Sequence, residues 1–365
     1  MGIASVKEDC CGCSACANIC PRQCITLTAD EEGFLYPKVD ESKCIKCHLC
    51  SSVCPLLHKP APHELLAVYG AKNKDDSVRY TSSSGGMFTL FAEDTLKRHG
   101  IVVGAALDEN FDVRHVFVEN SGELAKLRGS KYVQSIMGTT YSRVRSYLKE
   151  GRLVLFSGTP CQVAGLKGFL AQPYENLLTV DVVCHGVPSP KVYHKFLNEI
   201  ASEAGEPVKE VRFRDKEKGW KGGETLFLTA HKRFGAPKRR ETYMRLFLGN
   251  VITRPSCASC AFNNKRGLSD ITIADYWGVD KQFPEFDDDK GVTLVMVNTK
   301  AGEELLGRVK GGAEFINTTF EQGARFNQAV AKSLMPNSGR EYLFKNLDRY
   351  TLREFEAKLL KPLRP

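Results

Sequence analysis

The sequence predicts a small α+β domain followed by a larger domain of mixed α/β fold. Ten of the fourteen cysteines lie before residue 55, and three prolines fall within residues 55–65. Beyond that segment, short apolar runs alternate with amphipathic stretches, which is typical of an α/β domain. The 365 residues, 42% of them hydrophobic, suffice for two globular domains. We therefore predict a first domain at 1–57, a linker at 58–66 and a second domain at 67–365.

Two cysteine runs in the first domain share one spacing, C-x2-C-x2-C-x3-C-P. Their cysteines are Cys10, Cys13, Cys16 and Cys20 in the first run and Cys44, Cys47, Cys50 and Cys54 in the second. This spacing is typical of bacterial ferredoxins that hold two [4Fe–4S] clusters. Three cysteines line one face of a cubane, and the fourth follows into a short helix and points to the other cluster. Residues 25–41, between the runs, predict a hairpin that turns at Gly33.

Crossed ligation assigns one cysteine of each run to the cluster of the other run. The first cluster would use Cys10, Cys13, Cys16 and Cys54, and the second Cys44, Cys47, Cys50 and Cys20. Zinc and disulfides are the alternatives. Zinc needs only paired C-x2-C units, and disulfides are rare in a chain without an export signal. We expect the remaining Cys11 and Cys24 to be small buried residues.

The formal net charge of +8 does not predict nucleic-acid binding. That charge counts cysteines as neutral thiols, whereas each four-thiolate cluster contributes about −2. Three clusters would lower the net charge to roughly +2, and the basic residues are scattered along the chain. The chain has neither a long apolar run nor a secretory signal. We therefore expect no transmembrane segment and a cytoplasmic location.

Hydrophobic patterning predicts the elements of the second domain in order. Strands are predicted at 66–73, 101–107, 113–119, 152–158, 177–183 and 291–298. Helices are predicted at 85–100, 134–149, 160–171, 190–203, 300–310 and 340–361.

Four further cysteines lie in the second domain. Cys161 and Cys184 each follow a predicted strand, and Cys257 and Cys260 form a C-x2-C pair. Because the ends of parallel strands meet at one edge of a sheet, the four thiols can form one site. The spacing leaves three interpretations open: a third four-thiolate cluster, a zinc knuckle beside two buried cysteines, or a redox-active thiol pair.

Three turns rich in glycine and hydroxyl groups precede predicted helices. Such turns let backbone N–H groups approach a phosphate, so they predict one flavin or nucleotide pocket. The residues assigned to it are Ser83, Ser84, Gly85, Gly86, Lys131, Tyr132 and Thr159. An ordinary helix cap at Ser84 is the alternative for the first turn. A flavin is also expected chemically, because clusters pass single electrons whereas most organic substrates exchange two.

Several motifs in this order carry a family resemblance. They are SSSGGMFT (82–89), GSKYVQS (129–135), FSGTPCQVAGL (156–166), VDVVCHGVPSP (180–190), FRDKEKGW (213–220), RPSCASCAF (254–262), SDITIADYWG (269–278) and NQAVAKSLMPNSGREYLF (327–344). With them the chain resembles the coenzyme F420 hydrogenase/dehydrogenase beta subunit family. The resemblance implies an α+β ferredoxin-like N-terminal domain followed by a mixed α/β flavin-binding domain. It also implies FAD and a core [4Fe–4S] cluster on Cys161, Cys184, Cys257 and Cys260.

Two features differ from the archaeal hydrogenase subunits of that family. The chain carries its own ferredoxin-like domain, and CHGVPSP stands where F420 enzymes have a phenylalanine–cysteine pattern. The chain is therefore more similar to bacterial members, whose substrates are often unassigned.

The sequence thus predicts an iron–sulfur flavoprotein oxidoreductase that joins clusters, through FAD, to a two-electron substrate such as an F420-like deazaflavin. His185 would give a proton to reduced flavin or make a structural hydrogen bond. Arg212, Arg214 and Lys216 would meet an acidic substrate or form an exposed basic strand. Expected partners are a redox partner protein or ferredoxin and a small substrate. The alternatives are an electron-transfer adaptor without a substrate and a non-redox metal-binding module.

Overall fold

The computed structural model describes residue 3 and residues 6–236, 241–262, 267–330 and 332–360. Its strands are β1 (Ile25–Ala29), β2 (Leu35–Val39), β3 (Ala67–Asn73), β4 (Ile101–Leu107), β5 (Val113–Val118), β6 (Val154–Gly158), β7 (Leu177–Val182), β8 (Glu210–Asp215), β9 (Glu224–Leu228), β10 (Arg233–Ala236), β11 (Ile271–Asp275), β12 (Thr293–Val297) and β13 (Ala313–Asn317). Its α-helices are α1 (Ala15–Ile19), α2 (Leu49–Ser52), α3 (Asp76–Thr81), α4 (Met87–Lys97), α5 (Thr140–Lys149), α6 (Pro160–Leu170), α7 (Pro190–Ala204), α8 (Thr242–Leu248), α9 (Val279–Gln282), α10 (Lys300–Val309), α11 (Phe320–Ala324), α12 (Gly339–Lys345) and α13 (Leu352–Leu359).

The N-terminal segment folds as an antiparallel hairpin with one short helix in each cysteine run. β1 pairs with β2 in a register that sets Ile25 opposite Val39, which confirms the predicted hairpin. α1 and α2 pack against each other. Most of the thiols of both runs share an apolar interior with Ile3, Val6 and Ile25. The two runs therefore face each other across one small core.

An eight-stranded mixed sheet forms the centre of the second domain. Its strand order is β13-β3-β12-β11-β7-β6-β4-β5. The inner strands β11, β7, β6 and β4 run parallel, and the strands on both sides of them pair antiparallel. The two strands that precede Cys161 and Cys184 are therefore parallel neighbours, as the sequence predicts.

Helices cover both faces of this sheet. Val102 of β4 faces α4 and α10 on one side. Its neighbours Ile101 and Val103 face α5 and α6 on the other side, because successive strand residues point to opposite faces. A strand buried on both faces reads as a continuous apolar run, which is why these strands were predictable.

A third layer packs beyond the central sheet, and the sequence patterning predicted most of its helices but missed its strands. β8, β9 and β10 form an antiparallel sheet, and α7, α8, α12 and α13 pack against it around a separate apolar core. β8 alternates charged with apolar residues (EVRFRD), a pattern too short to distinguish from a loop. Within the described residues, no helix combines the length and apolar character needed to cross a bilayer.

Two predicted helices differ from the observed ones. The helix predicted from residue 134 begins at Thr140, because both backbone groups of Ile136 are hydrogen-bonded to β5. The helix predicted over 340–361 is two helices, α12 and α13. Thr351 starts the second with a capping box that includes Glu354. Position 361 lies outside the described residues.

The N-terminal domain packs on α6 through two glycines. A Cβ on Gly165 would lie 2.9 Å from the Sγ of Cys13, and a Cβ on Gly168 would lie 2.5 Å from the carbonyl oxygen of Val53. Both contacts are shorter than side chains tolerate, so the absence of side chains at these positions lets the first domain approach the helix.

We predict that Gly168→Ala destabilises the protein by about 1–3 kcal/mol, because the new methyl group meets a backbone carbonyl that cannot rotate away. The matched control is Gly307→Ala in α10, where a Cβ has no neighbour within 4 Å. That change should be neutral or stabilise by up to roughly 1 kcal/mol through helix propensity. Thermal unfolding of both variants measures the difference, and equal midpoints would contradict the packing.

Candidate functional site

The thiols assigned to the first cluster meet in the interior of the N-terminal domain. Burial, together with the neighbouring Cys10 and Cys54 thiols, raises the pKa of Cys16 to about 12. Burial also raises the pKa of Cys10, again with Cys54 among its neighbours. Cys54 thus lies with the thiols of the other run, as crossed ligation requires. Cys13 lies at the domain boundary, packed with residues of the central domain.

A second group forms around Cys20 and Cys44. The Sγ atoms of Cys20 and Cys24 are 3.3 Å apart. This hydrogen bond and the neighbouring Cys44 raise the pKa of Cys24 to about 11. Cys24 is buried, as expected, but it contacts a residue assigned as a ligand. Cys47 is the exposed member of the second run, whereas Cys50 is half-buried.

The four cysteines of the second domain line one cavity of about 390 Å³. Cys161 follows β6, and its Sγ lies 3.1 Å from the hydroxyl of Thr159. Burial raises the pKa of Cys184 well above its usual value, and the thiols of Cys257, Cys161 and Cys260 raise it further. The structure therefore brings together the two strand-end cysteines and the C-x2-C pair.

Cys11 also lines this cavity, although the sequence predicted only a small buried residue. Its hydrogen bond with Cys161 is the main cause that raises the pKa of Cys161. A hydrogen bond with Cys13 likewise raises the pKa of Cys11. Cys11 therefore bridges the first cysteine run and the core cysteines.

The four donors of the core cavity are all thiols. A tetrahedral zinc site holds four sulfur atoms about 2.3 Å from one metal. Among the described residues, no three His, Cys, Asp or Glu side chains are arranged to hold one metal ion. A cubane takes one thiolate at each of four irons, so its ligands stand farther apart, and an all-thiol set suits iron and sulfide.

Arg254 joins the two domains through three hydrogen bonds. Its guanidinium donates from Nε to the carbonyl oxygen of Cys10 at 2.7 Å and from Nη2 to that of Leu35 at 3.0 Å. Nη1 donates to Oε1 of Gln134 at 3.0 Å. The side chain is 1% exposed. Arg254 therefore binds a cysteine run, the hairpin and the central domain at once.

The charge of Arg254 has no carboxylate partner among the residues that the structure describes. The ring of Tyr36 lies 4.1 Å from its Cζ atom. Its positive charge opposes the burial effect on the pKa of both Cys10 and Cys257. The guanidinium thus lies between the first cysteine run and the core cysteines.

A second cavity of about 550 Å³ opens at the carboxyl edge of the parallel strands. The predicted residues that line it are Ser83, Ser84, Gly86, Lys131, Tyr132 and Thr159. Gly85 is not among them. Its N–H donates to Oγ1 of Thr293 at 2.9 Å, and its carbonyl oxygen accepts from the N–H of Asn73. Gly85 therefore packs the turn onto the sheet.

The first turn of α4 faces this cavity without a side-chain cap. The N-cap residue is Gly86, at φ +81°, and Met87 and Phe88 line the cavity. Capping by Ser84 is therefore wrong, since its hydroxyl donates to the carbonyl oxygen of Val292 at 2.7 Å. The free N–H groups of a first helical turn favour an anion.

Basic residues of β8, and Lys216 directly after it, hold this turn in place. Arg214 donates to the carbonyl oxygen of Ser83 at 3.0 Å and to Asp275 at 2.8 Å. Lys216 donates to the carbonyl oxygen of Ser84 at 2.6 Å and is buried. Arg212 is bound to Glu210 and Asp215. Both sequence-based alternatives for Arg214 and Lys216, contact with an acidic substrate and an exposed basic strand, are therefore wrong. These two side chains position the turn.

Lys131 and Tyr132 follow Ser130, whose hydroxyl lies 2.8 Å from that of Ser83 in the turn before α4. The ammonium group of Lys131 donates to the carbonyl oxygens of Arg128 and Lys126, and burial lowers its pKa to about 7. The ring of Tyr132 packs edge-on against Phe213. These side chains shape the cavity and leave Arg128 beside the first turn of α4, where its Nε donates to the hydroxyl of Thr89 at 3.3 Å.

His185 lies in a loop, residues 183–187, that lines both cavities. Its Nε2 donates to Oδ1 of Asn250 at 2.7 Å, and burial lowers its pKa. Asn250 is held in turn by its bond to the carbonyl oxygen of Met335. The structural hydrogen bond weighed from the sequence is present, and it fixes the ring on the wall that the cavities share.

Sequence reasoning missed other residues of the second cavity, which we call the flavin-sized cavity. His115 accepts from the hydroxyl of Ser135 at 2.7 Å and donates from Nε2 to the carbonyl oxygen of Ser157 at 3.0 Å. Burial lowers its pKa to about 4. A single histidine in an apolar strand gives no signal of a site. Arg128 and Trp277 were missed for the same reason, because only the fold brings them to the cavity.

Comparison with known families covers most of the chain. Two models describe the coenzyme F420 hydrogenase/dehydrogenase beta subunit: the C-terminal model matches residues 151–319, and the N-terminal model matches residues 68–140. The chain belongs to this family. A 4Fe–4S dicluster domain matches residues 9–56. The family assignment and the iron–sulfur character predicted from the sequence are confirmed, as is an oxidoreductase family.

Curated relatives match parts of the chain. A coenzyme F420-dependent sulfite reductase of Methanocaldococcus jannaschii is 27% identical over 235 residues, which cover 58% of this chain and 35% of that protein. NADH-quinone oxidoreductase subunit I of Pelobacter propionicus is 37% identical over 60 residues, or 14% of this chain and 32% of that one. The chain thus spans about a third of the length of these relatives.

One solved structure shares the fold. It is the F420-reducing [NiFe] hydrogenase complex from Methanosarcina barkeri, studied by xenon derivatization. The match has a TM-score of 0.50 at 17% identity and covers 82% of this chain and 93% of that one. At this identity the likeness supports the mixed α/β architecture alone.

We predict that Arg254→Ala releases the N-terminal domain from the core, since three acceptors lose a charged donor at roughly 1.5–3 kcal/mol each. Proteinase K should then cleave residues 58–66 at least about ten-fold faster. Arg254→Lys, which keeps the charge but cannot reach three acceptors, should be intermediate. Arg152→Ala removes an exposed pair with Glu119 and serves as the control. An unchanged cleavage rate in Arg254→Ala would disprove the anchoring role.

Proposed function

We propose that this protein is an iron–sulfur flavoprotein oxidoreductase. It passes electrons between two N-terminal [4Fe–4S] clusters, a third [4Fe–4S] cluster and FAD, and onward to a two-electron substrate. The observation that carries the proposal is the loop at residues 183–187, which lines both the core cysteine cavity and the flavin-sized cavity. A cluster and a flavin on the two sides of one loop would be close enough to exchange electrons.

The cysteine groups would form a continuous path into the second domain. The exposed Cys47 lies at one end of the path, and the crossed ligands Cys20 and Cys54 join the two N-terminal groups. Cys11 is covalently next to Cys10 and hydrogen-bonded to Cys161. The first cluster would therefore be connected to the core cluster through one peptide unit and one hydrogen bond.

Arg254 would supply positive charge where the path carries most negative charge. Each four-thiolate cluster carries about −2, and the guanidinium lies between two of the proposed sites without a carboxylate partner among the described residues. Burying an unpaired charge is unfavourable. The clusters on either side would be its counter-ions.

The second cavity has groups that suit the parts of FAD. The uncapped first turn of α4 and Arg128 would hold the phosphates. Apolar and aromatic side chains, including Tyr132 and Trp277, would contact the ring system. A bound flavin would exchange electrons one at a time with clusters and two at a time with a substrate.

A substrate would enter the cavity from the solvent. Phe326, which lines the cavity, is 38% exposed, so an aromatic wall reaches the surface there. Such walls suit a planar organic acceptor, of which an F420-like deazaflavin is one. Clusters exposed at the surface react readily with oxygen, so the protein would work in a cytoplasm that contains little oxygen.

An electron-transfer adaptor is the second candidate. The structural relative is a hydrogenase complex, and the chain spans about a third of its curated relatives, which favours work within a larger assembly. Turnover separates the candidates: the isolated oxidoreductase would oxidise or reduce a soluble two-electron compound such as F420 or a nicotinamide, whereas an adaptor would do so only with its partner.

The proposal predicts about twelve irons and one FAD per chain purified without oxygen, four irons for each cluster. Cys184→Ala should lower iron to about eight and leave the N-terminal clusters intact. Cys11→Ala removes a thiol from the same cavity that is not a proposed ligand, and it should keep about twelve. Iron, sulfide, zinc and flavin analysis measures this. About eight irons and no flavin in the unaltered protein would refute the core assignment.

The flavin site predicts that Arg128→Ala weakens FAD binding about ten-fold, since one charged hydrogen bond to phosphate is worth roughly 1.5 kcal/mol or more. The control is Arg98→Ala at the other end of α4, where the side chain pairs with Asp94. Reconstitution of the flavin-free protein, followed by fluorescence, measures both constants. Equal FAD affinities for the two variants would place the phosphates elsewhere.

A further inference from the structure

The second cysteine run presents an apolar surface to solvent. Ile45 is 60% exposed and Leu49 is 42% exposed. They flank Cys47, which is itself exposed. Exposed apolar side chains on both sides of a proposed cluster ligand are a common feature of sites where another protein binds.

The first run has no such surface. Cys10 lies beneath Arg254, and Cys13 packs against Gly165 of α6. A protein that approaches from solvent can therefore come close to the second cluster only. The two clusters have different roles in this arrangement, the first toward the core and the second toward a partner.

Exposed basic side chains surround the apolar surface. Arg22 follows Cys20 by two residues, and Lys46 precedes Cys47. Lys38 lies opposite Thr26 in the register of the hairpin, at the end next to Cys24. None of these three has a salt bridge within the described part of the chain. The cluster's own negative charge lies beneath them, so the groups that reach farthest outward are cationic.

Two acidic residues of the same domain, Asp40 and Glu32, are already held in ion pairs. Asp40 pairs with Lys43 at 3.1 Å. Glu32, at the hairpin tip, pairs with Arg340 of the central domain, and the neighbouring carbonyl oxygen of Glu31 accepts from Lys191. The exposed Glu41 is left near the basic groups. The charge on this side therefore complements an acidic partner.

We propose that Arg22, Lys38, Ile45, Lys46 and Leu49 form a docking surface, the carrier face, for an acidic one-electron carrier protein of the ferredoxin class. One electron moves from the reduced carrier cluster to the second cluster of this chain, and no bond forms or breaks. The inference rests on the proposed function. The small apolar centre and cationic rim suit a transient complex, in which charge raises the association rate more than the affinity.

The test uses the complete anaerobic protein and an acidic 2[4Fe–4S] ferredoxin, reduced with dithionite, as the probe. Lys46→Glu should slow electron transfer from the ferredoxin about five-fold or more at low salt, and the difference should shrink between about 0.01 and 0.3 M NaCl. Ile45→Ser combined with Leu49→Ser should slow it at every salt concentration. Lys310→Glu, an exposed charge reversal beyond α10, is the control and should match the unaltered protein. Stopped-flow absorbance measures each rate.

Reduced methyl viologen, which needs no docking surface, distinguishes the two proposals. Cluster reduction by viologen in all variants, together with slower reduction by ferredoxin in Lys46→Glu and in the Ile45→Ser, Leu49→Ser double variant but not in Lys310→Glu, supports the carrier face. Equal slowing by Lys46→Glu and Lys310→Glu, or no reaction with ferredoxin while viologen reduces the clusters, overturns it and leaves the oxidoreductase intact. Failure of viologen to reduce any cluster overturns the proposed function itself.

Discussion

The arrangement of the whole molecule depends on one buried guanidinium. Arg254 holds Cys10, Leu35 and Gln134 at hydrogen-bond distance, and these residues belong to a cysteine run, a hairpin and the central domain. The backbone there is close-packed as well: Gly12 has a positive φ of +73°, and any side chain on it would meet Gln134 or Arg254. Arg254 acts together with the packing of Cys13 and Val53 on α6 and with the ion pair between Glu32 and Arg340. With these contacts, Cys11 reaches the cavity that the core cysteines line.

The central sheet supplies the second constraint. β6 and β7 are parallel neighbours, so the residues that follow them meet at one edge of the sheet. The loop at residues 183–187, which follows β7, lines both the core cysteine cavity and the second cavity. One edge thereby offers thiols on one side and a phosphate-sized helix terminus with aromatic walls on the other. Arg214 of β8 and Lys216, which follows β8, donate hydrogen bonds to the turn before α4, so the second small sheet supports that turn. The fold thus places two kinds of candidate site on either side of a single loop.

Local patterns predicted the parts of this site that lie near one another in sequence. The spacing of Cys10 to Cys20 and of Cys44 to Cys54 is a local property, and strand ends before Cys161 and Cys184 follow from apolar runs. Long-range contacts left no such pattern: Arg254 lies 244 residues from Cys10, and its place in the motif RPSCASCAF (254–262) does not indicate which backbone groups it binds. Gly85 and Ser84 were assigned to a phosphate because glycine and serine suit such turns, yet their polar groups are bound by β3, β12 and the residue before β12. The residues of a turn indicate which backbone conformations it can adopt. Which groups the turn contacts depends on the tertiary fold.

The central claim is that the N-terminal clusters and the core cluster form one electron path. Electron paramagnetic resonance of the fully reduced protein tests it most directly, because nearby paramagnetic clusters split and broaden each other's signals. The account predicts a coupled spectrum in the unaltered protein and, when Cys184 is replaced by alanine, the simpler spectrum of an isolated pair of N-terminal clusters. A spectrum equal to the sum of independent signals, unchanged by that replacement, would contradict the account.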